Sequence, residues 1–272
     1  MGICNVTPDS FSDGGRFFDR EAAFARVDEL VRDGADIVDI GGESTRPGSE
    51  PVPPKVQLER VLEVVRYAAQ KTCVSIDTTS AEVASACLDA GAHAVNDISL
   101  LSEDDLARVA GGSGAALVLS HARAPQVTMK GYGYWPLDGY GDVVKDVVRD
   151  WTRAAARAVE LGVAHDALVM DPGLGFSKAS RHSFELLRRA SQLVDLLGAE
   201  GWTVPVLFGA SRKSFLTLVD RGAEPEQRIG ASIAAALHAV RSGVTVLRVH
   251  DVRATRQALD MEIVLGTPRR KV

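Results

Sequence analysis

Ala167-Leu168-Val169-Met170-Asp171-Pro172-Gly173 is a run of four apolar residues that stops on a carboxylate at a Pro-Gly turn. A strand with one face in water alternates apolar and polar residues. A strand of a parallel sheet covered on both faces stays apolar throughout, and this run reads as one of those. Seven further short apolar runs resemble it, so the candidate strands are 2–6, 36–40, 73–76, 93–95, 115–119, 167–170, 204–208 and 245–249. Between them lie amphipathic stretches that predict helices over 20–33, 55–70, 80–90, 102–110, 140–161, 181–198, 230–242 and 251–264. Gly34, Gly91, Gly162 and Gly243 each stand after a helical stretch and before a strand, where a helix ends on a left-handed residue. Eight strand–helix units in 272 residues predict one α/β domain over 1–272, a single (β/α)8 TIM barrel. No Gly-x-Gly-x-x-Gly follows strand one, which argues against a dinucleotide-binding sheet.

Composition agrees and narrows the partners. With 46% hydrophobic and 25% charged residues a large core can form. A formal charge of −5 offers no general attraction for nucleic acid or an anionic membrane, so neither is expected as a partner. No run of about 18 apolar residues would span a bilayer. The segment Met1-Gly2-Ile3-Cys4-Asn5 does not read as a signal peptide, so a cytoplasmic location is expected. Cys4, Cys73 and Cys87 lack metal-ligand spacing and read as free thiols.

In a barrel of this kind the active site sits at the C-terminal ends of the strands. Those ends carry polar groups: Asn5, Asp77, Asn96 and Asp97, His121, Asp171, the run Ser211-Arg212-Lys213-Ser214, and Arg248 with His250. Long connections over 7–19, 41–54 and 120–139 leave the same ends. Together they describe a polar pocket in an apolar wall. Asp77, Asn96, Asp171 and Lys213 suit a flat heterocycle with an amide-like edge. Arg212, Lys213, Arg248 and His250 follow strands seven and eight, a frequent phosphate site in barrels. Asn5, with neighbouring carboxylates, offers oxygen to Mg²⁺, which usually shares its coordination with phosphates and water. No nucleophile–base pair is evident, so the site reads as one that positions substrates and stabilises a leaving phosphate.

Seven motifs in order carry a resemblance. They are Asn5-Val6-Thr7-Pro8-Asp9-Ser10-Phe11-Ser12-Asp13-Gly14-Gly15, Asp39-Ile40-Gly41-Gly42-Glu43-Ser44-Thr45-Arg46-Pro47-Gly48, Ser75-Ile76-Asp77-Thr78, Asn96-Asp97-Ile98, Asp171-Pro172-Gly173-Leu174-Gly175-Phe176, Ser211-Arg212-Lys213-Ser214-Phe215 and Arg248-Val249-His250-Asp251. The chain resembles the dihydropteroate synthases over nearly its whole length. The resemblance implies a transferase of folate biosynthesis that joins 6-hydroxymethyl-7,8-dihydropterin pyrophosphate to para-aminobenzoate. It implies that Asp77, Asn96, Asp171, Phe176 and Lys213 hold the pterin. Asn5, Arg46, Arg248 and His250 would hold the pyrophosphate, with Asn5 also a ligand of Mg²⁺. Phe11, Thr45, Arg46, Pro47, Lys213 and Ser214 would form the para-aminobenzoate pocket that sulfonamides occupy. Asp77, Lys213, Arg248 and His250 are the implied catalytic residues, and a homodimer is the implied assembly. Family members usually carry a short extension before strand one.

The chain departs from the family pattern at three places, one of them the stretch 126–139, unusually rich in Tyr, Trp and Gly. Leu119-Ser120-His121-Ala122-Arg123-Ala124-Pro125 lacks the methionines usual around the histidine, and Ser177 stands where glycine is common. Two other readings share these motifs: a pterin-dependent methyltransferase on the same barrel, and a catalytically silent paralogue that binds pterin or a partner protein. The first needs no pyrophosphate site, and a mere binder gains little from Asn5 or Arg46.

Overall fold

The computed structural model describes residues 1–7, 20–44, 49–128 and 135–266. Its strands are β1 (Gly2–Asn5), β2 (Ile37–Gly41), β3 (Cys73–Asp77), β4 (Ala94–Asp97), β5 (Ala116–Ser120), β6 (Leu168–Asp171), β7 (Leu207–Phe208) and β8 (Val246–Leu247). The first six pair in parallel in chain order, and β7 pairs in parallel with β8. Two single bridges complete the ring, Met170 with Val206 and Gly2 with Val249. The Met170 N–H donates to the Pro205 carbonyl at 2.9 Å, and the Ile3 N–H donates to the Val249 carbonyl at 3.0 Å. The Met1 ammonium donates to the Leu247 carbonyl at 3.0 Å. The described strands therefore close into a barrel, with no free edge among them.

The helices are α1 (Arg20–Arg32), α2 (Pro54–Ala69), α3 (Ala81–Asp89), α4 (Asp104–Ser113), α5 (Val143–Glu160), α6 (Ser180–Arg188), α7 (Ala190–Ala199), α8 (Ile229–Arg241) and α9 (Val252–Gly266). Local chemistry sets several of their starts. The Ser80 hydroxyl accepts from the Val83 N–H, and Asp142 accepts from the Val144 and Lys145 N–H groups. Gly34, Gly91, Gly162 and Gly243 all have φ between +93° and +108°, as their placement after helices predicts.

One expectation is corrected. The helix over 181–198 is two helices, α6 and α7, parted at Arg189 with φ −106° and ψ 28°. The Arg189 side chain reaches the Asp142 carboxylate at 2.9 Å, tying the joint to the start of α5. Both short helices pack against α5.

Val38, Ile40, Val74, Ile76, Val95, Leu117, Leu119, Leu168 and Met170 lie in one apolar cluster with the helices. Between them in sequence, Asp39, Ser75, Asp77 and Asn96 are buried too. The period of two along a strand turns these to the barrel interior. In β2 to β4 the interior face is thus polar, where the sequence reading emphasised unbroken apolar runs. Trp151 fixes the helical layer to the barrel: it is fully buried, its indole N–H donates to the Leu119 carbonyl at 3.0 Å, and it meets Trp202 edge-on at 5.4 Å.

Candidate active site

Arg248, just past β8, reaches across the barrel mouth to two buried carboxylates. Its Nε donates to Asp39 Oδ2 at 2.6 Å and its Nη2 to Asp77 Oδ2 at 2.8 Å. Burial alone would weaken the guanidinium's hold on its proton, but the two carboxylates outweigh it and hold Arg248 charged. Burial pushes Asp77 up to about 7, against the pull of Arg248. Asn96 Nδ2 donates to Asp39 Oδ2 at 3.1 Å. Asp77 Oδ1 and Asn96 Oδ1 are buried with no hydrogen-bond partner among the described residues, as are Asp39 Oδ1 and Ser75 Oγ beside them on β2 and β3. An unsatisfied buried acceptor costs about 1–3 kcal/mol, so the Asp77 and Asn96 acceptors on adjacent strands call for a ligand edge of N–H donors.

Lys213 closes the opposite side. Its ammonium donates to the Leu174 carbonyl and lies 4.8 Å from the centre of the Phe176 ring. Burial pulls it down to about 8, while the Asp171 carboxylate pulls the other way. Gly209 is the space between the cations: a Cβ there would lie 3.9 Å from Lys213 Nζ and 3.8 Å from Arg248 Cβ. Gly41 does the same for the acceptors, since a Cβ there would lie 3.8 Å from Asn5 Oδ1 and 3.4 Å from Asp77 Cβ. Asn5, Asp77, Lys213 and Arg248 thus meet from four strand ends, and Asn96 joins them through Asp39, which it shares with Arg248.

Asp171 is held firmly. Its Oδ1 accepts from the Gly173 N–H at 2.8 Å and its Oδ2 from the Ser120 hydroxyl at 2.6 Å. Gly173 has φ +65°, and a Cβ on it would fall 2.0 Å from the His121 carbonyl oxygen, so only glycine lets the loop after β6 lie against β5. That approach brings Phe176 against Ile98 and Ala122 in a small apolar cluster apart from the main core. Through Phe176, whose ring the Lys213 ammonium faces, this trio lies beside the pocket.

His250 sits beside Ser211, whose hydroxyl accepts from the His250 backbone N–H at 3.2 Å and lies 3.1 Å from Nδ1. The hydroxyl proton then points at Nδ1, which leaves the ring proton on Nε2. Burial, followed by Arg248 and Arg212, lowers this histidine to about 3, so it is a neutral donor at pH 7. Ser214 opens the short 3-10 turn Ser214–Leu218 directly after Lys213. Phe11, Thr45, Arg46 and Pro47 lie outside the described residues.

Three strand-end polar groups turn elsewhere. Asp97 accepts from Ser99 and from the Leu101 N–H, bracing a turn in which Leu100 and Leu101 have φ of +59° and +58°. Arg212 forks onto Asp251 at 2.9 and 2.5 Å. His121 bonds away from the pocket: its Nδ1 lies 2.9 Å from Lys178 Nζ and its Nε2 3.4 Å from Asp150. Burial and then Lys178 lower His121 to about 3, so it accepts from the lysine and donates to the aspartate. Lys178, buried and pulled well below its ordinary range, also meets the His121 and Phe176 carbonyls at 3.1 and 2.9 Å. His93, His182 and His238 bond to backbone groups, and His165 stacks on Trp202. Cys4, Cys73 and Cys87 are free thiols.

Sequence reasoning gave no role to Asp39, Ser120, Ile98 or Ala122. For Asp39 a signal was there: a carboxylate inside an apolar strand needs a buried partner. For Mg²⁺ the chemistry of the donors decides the fit. No cluster of three His, Cys, Asp or Glu side chains able to hold a metal exists among the described residues. What the pocket offers is the Asn5 amide oxygen near the Asp77 carboxylate, an oxygen-only set suited to a hard cation that shares its coordination with phosphate.

A closed α/β barrel whose strand ends oppose an acceptor row to an arginine and a lysine is a barrel enzyme for a flat, anionic, donor-edged heterocycle. The model of the family described as pterin binding enzyme matches residues 1–250. The dihydropteroate synthase of Mycobacterium leprae is 43% identical over 266 residues, 95% of this chain and 90% of that protein. The solved dihydropteroate synthase of Xanthomonas albilineans with 4-aminobenzoic acid shares the fold at a TM-score of 0.87 and 38% identity, covering 98% of this chain and 93% of that one. A probable bifunctional folylpolyglutamate synthase/dihydropteroate synthase of Haloferax volcanii is 37% identical over 99% of this chain, which spans 31% of that longer protein. The chain belongs to the pterin-binding enzyme family, among its dihydropteroate synthases.

Proposed function

We propose that the chain is a transferase that condenses 6-hydroxymethyl-7,8-dihydropterin pyrophosphate with para-aminobenzoate to give 7,8-dihydropteroate and pyrophosphate. The observation that carries this reading is the pair of unpartnered buried acceptors, Asp77 Oδ1 and Asn96 Oδ1, at the same strand ends as Lys213 and Arg248. A pterin supplies the N–H edge that such acceptors need, and its pyrophosphate supplies the anion.

Asp77 and Asn96 accept from the pterin edge, Asp171 sits across from them, and Phe176 with Ile98 and Ala122 covers a face of the ring. Lys213 donates to the ring or to its bridging oxygen. Arg248 and neutral His250 donate to the pyrophosphate as it takes the electron pair of the breaking C–O bond. Mg²⁺, held by Asn5 together with the pyrophosphate, would supply Lewis-acid stabilisation of the same charge. The carbon left behind is cationic, and the amine nitrogen of para-aminobenzoate captures it and then loses a proton. No protein nucleophile is needed. Phe11, Thr45, Arg46, Pro47 and Ser214 surround the para-aminobenzoate, and sulfonamides compete there. Loops 7–19 and 41–54 keep water from the cation.

The assembly is a homodimer in the cytoplasm; the exposed Ile263, Val264 and Leu265 of α9 provide apolar surface for such a contact. No helix of the described residues is long and apolar enough to cross a membrane. The decisive test incubates the protein with both substrates and Mg²⁺ and follows pyrophosphate release. Release that needs all three, and that drops at least about a hundredfold in Asn5→Ala, Lys213→Ala and Arg248→Ala, is expected. Pterin binding without release would sink the catalytic reading.

A further inference from the structure

Asp39 is the third residue of β2, flanked by Val38 and Ile40, both of which belong to the helix-side core. It is fully buried, faces the barrel interior, and has no part in the mechanism above. A single oxygen, Oδ2, accepts both from Asn96 Nδ2 at 3.1 Å and from Arg248 Nε at 2.6 Å. A carboxylate can only accept here, so Asn96 must turn its NH₂ toward Asp39 and its carbonyl away from it. That carbonyl, Asn96 Oδ1, is an unpartnered acceptor, as are Asp77 Oδ1 and the second oxygen of Asp39 itself, Oδ1; the Asp77 carboxylate takes the second bond from Arg248 on its Oδ2 at 2.8 Å.

We propose that Asp39 is a positioning residue that sets the hydrogen-bond polarity of the pterin pocket. It holds the Asn96 amide in one of its two orientations and keeps Arg248 beside Asp77. An asparagine amide is nearly symmetrical in shape, so without such an anchor it turns over at little cost. Turned over, it presents N–H to a ligand edge that is itself made of N–H groups. Through Oδ2 Asp39 therefore acts on the substrate by way of Asn96, and the same oxygen stations the guanidinium for the departing anion. This rests on the roles proposed above for Asn96 and Arg248.

Two variants separate geometry from charge. Asp39→Leu removes both acceptors at similar volume. Asp39→Asn keeps one oxygen, which can still take both hydrogen bonds. The probe for the amide alone is 6-hydroxymethyl-7,8-dihydropterin, which lacks the pyrophosphate, titrated calorimetrically into wild type, both variants, Asn96→Ala, and the double variant Asp39→Leu with Asn96→Ala. Its Kd is expected to rise about tenfold or more in Asp39→Leu and less than about threefold in Asp39→Asn. In the Asn96→Ala background, adding Asp39→Leu is expected to change it less than about twofold. In turnover, Asp39→Leu raises KM for the pterin pyrophosphate and leaves KM for para-aminobenzoate unchanged. Wild-type affinity in Asp39→Leu, equal damage in the two Asp39 variants, or the same penalty with Asn96 absent would each overturn the proposal. Wild-type protein that binds no hydroxymethyldihydropterin would overturn the functional reading itself, and this inference with it.

Discussion

Two residues of the pocket titrate near neutrality, and in opposite senses. Asp77 must be ionised to accept from the pterin, and burial raises it to about 7, so activity grows as pH rises through that value. Lys213 must be charged to donate, and burial lowers it to about 8, so activity falls as pH rises further. The expected profile of kcat/KM for the pterin substrate is a narrow bell with its top between these limits. Arginine stays protonated throughout this range, so Lys213→Arg, whatever its absolute rate, should lose the alkaline limb. A flat profile from pH 6 to 9 in wild type would disprove both assignments. At this scale the sequence was informative about which residues lie at strand ends and less so about where their side chains turn. Asp97 and His121 occupy the predicted positions, yet one braces a turn and the other joins Lys178 and Asp150. A side chain's direction depends on neighbours from other elements, and those are not adjacent in sequence.

At the scale of elements, the loops after β5 and β6 form one unit. Ser177, the residue in place of a common glycine, has φ +47°. Its hydroxyl accepts from the Arg123 and Ala124 N–H groups at 3.0 and 3.1 Å, and its carbonyl accepts from the Tyr140 hydroxyl at 2.9 Å. Arg123 in turn lies over the Tyr140 ring at 4.0 Å and pairs with Asp150 at 2.7 Å. The serine keeps the backbone shape glycine would allow, at some strain, and offsets that strain with two hydrogen bonds. Ser177→Ala should therefore cost about 1–3 kcal/mol in urea denaturation, because the bonds go and the strain stays. Ser177→Gly should cost about 1 kcal/mol less than that, because the strain goes too. Equal losses in the two variants would show that the backbone conformation carries no cost. The altered fifth strand tip is explained in the same way: Ser120, buried, spends its hydroxyl on Asp171, a role no methionine can fill.

At the scale of the whole molecule, the barrel holds because its ring closes and because buried aromatic residues fasten the helices to it. Trp151 is the largest fully buried side chain, and its indole satisfies a strand carbonyl. Trp151→Ala should cost about 3–5 kcal/mol in urea denaturation, while Trp151→Phe, which keeps most of the apolar area but leaves the Leu119 carbonyl short of a donor, should cost about 1–3 kcal/mol. A Trp151→Phe protein as damaged as the alanine variant would place the whole effect in the lost hydrogen bond, with none left for packing. By itself the sequence determined the eight strand–helix units, the helix-ending glycines, the single barrel, and the order of strand ends that carry polar groups. Those follow from periodicity and backbone preference, which act over a few residues, and the motifs carried the family. Only the tertiary structure decided that the 181–198 helix parts at Arg189, that Asp39 serves Asn96 and Arg248 at once, and that Ile98, Ala122 and Phe176 make one cluster. Each depends on groups from distant strands meeting in a low-dielectric interior, where a carboxylate must find its donors across the barrel, not along the chain.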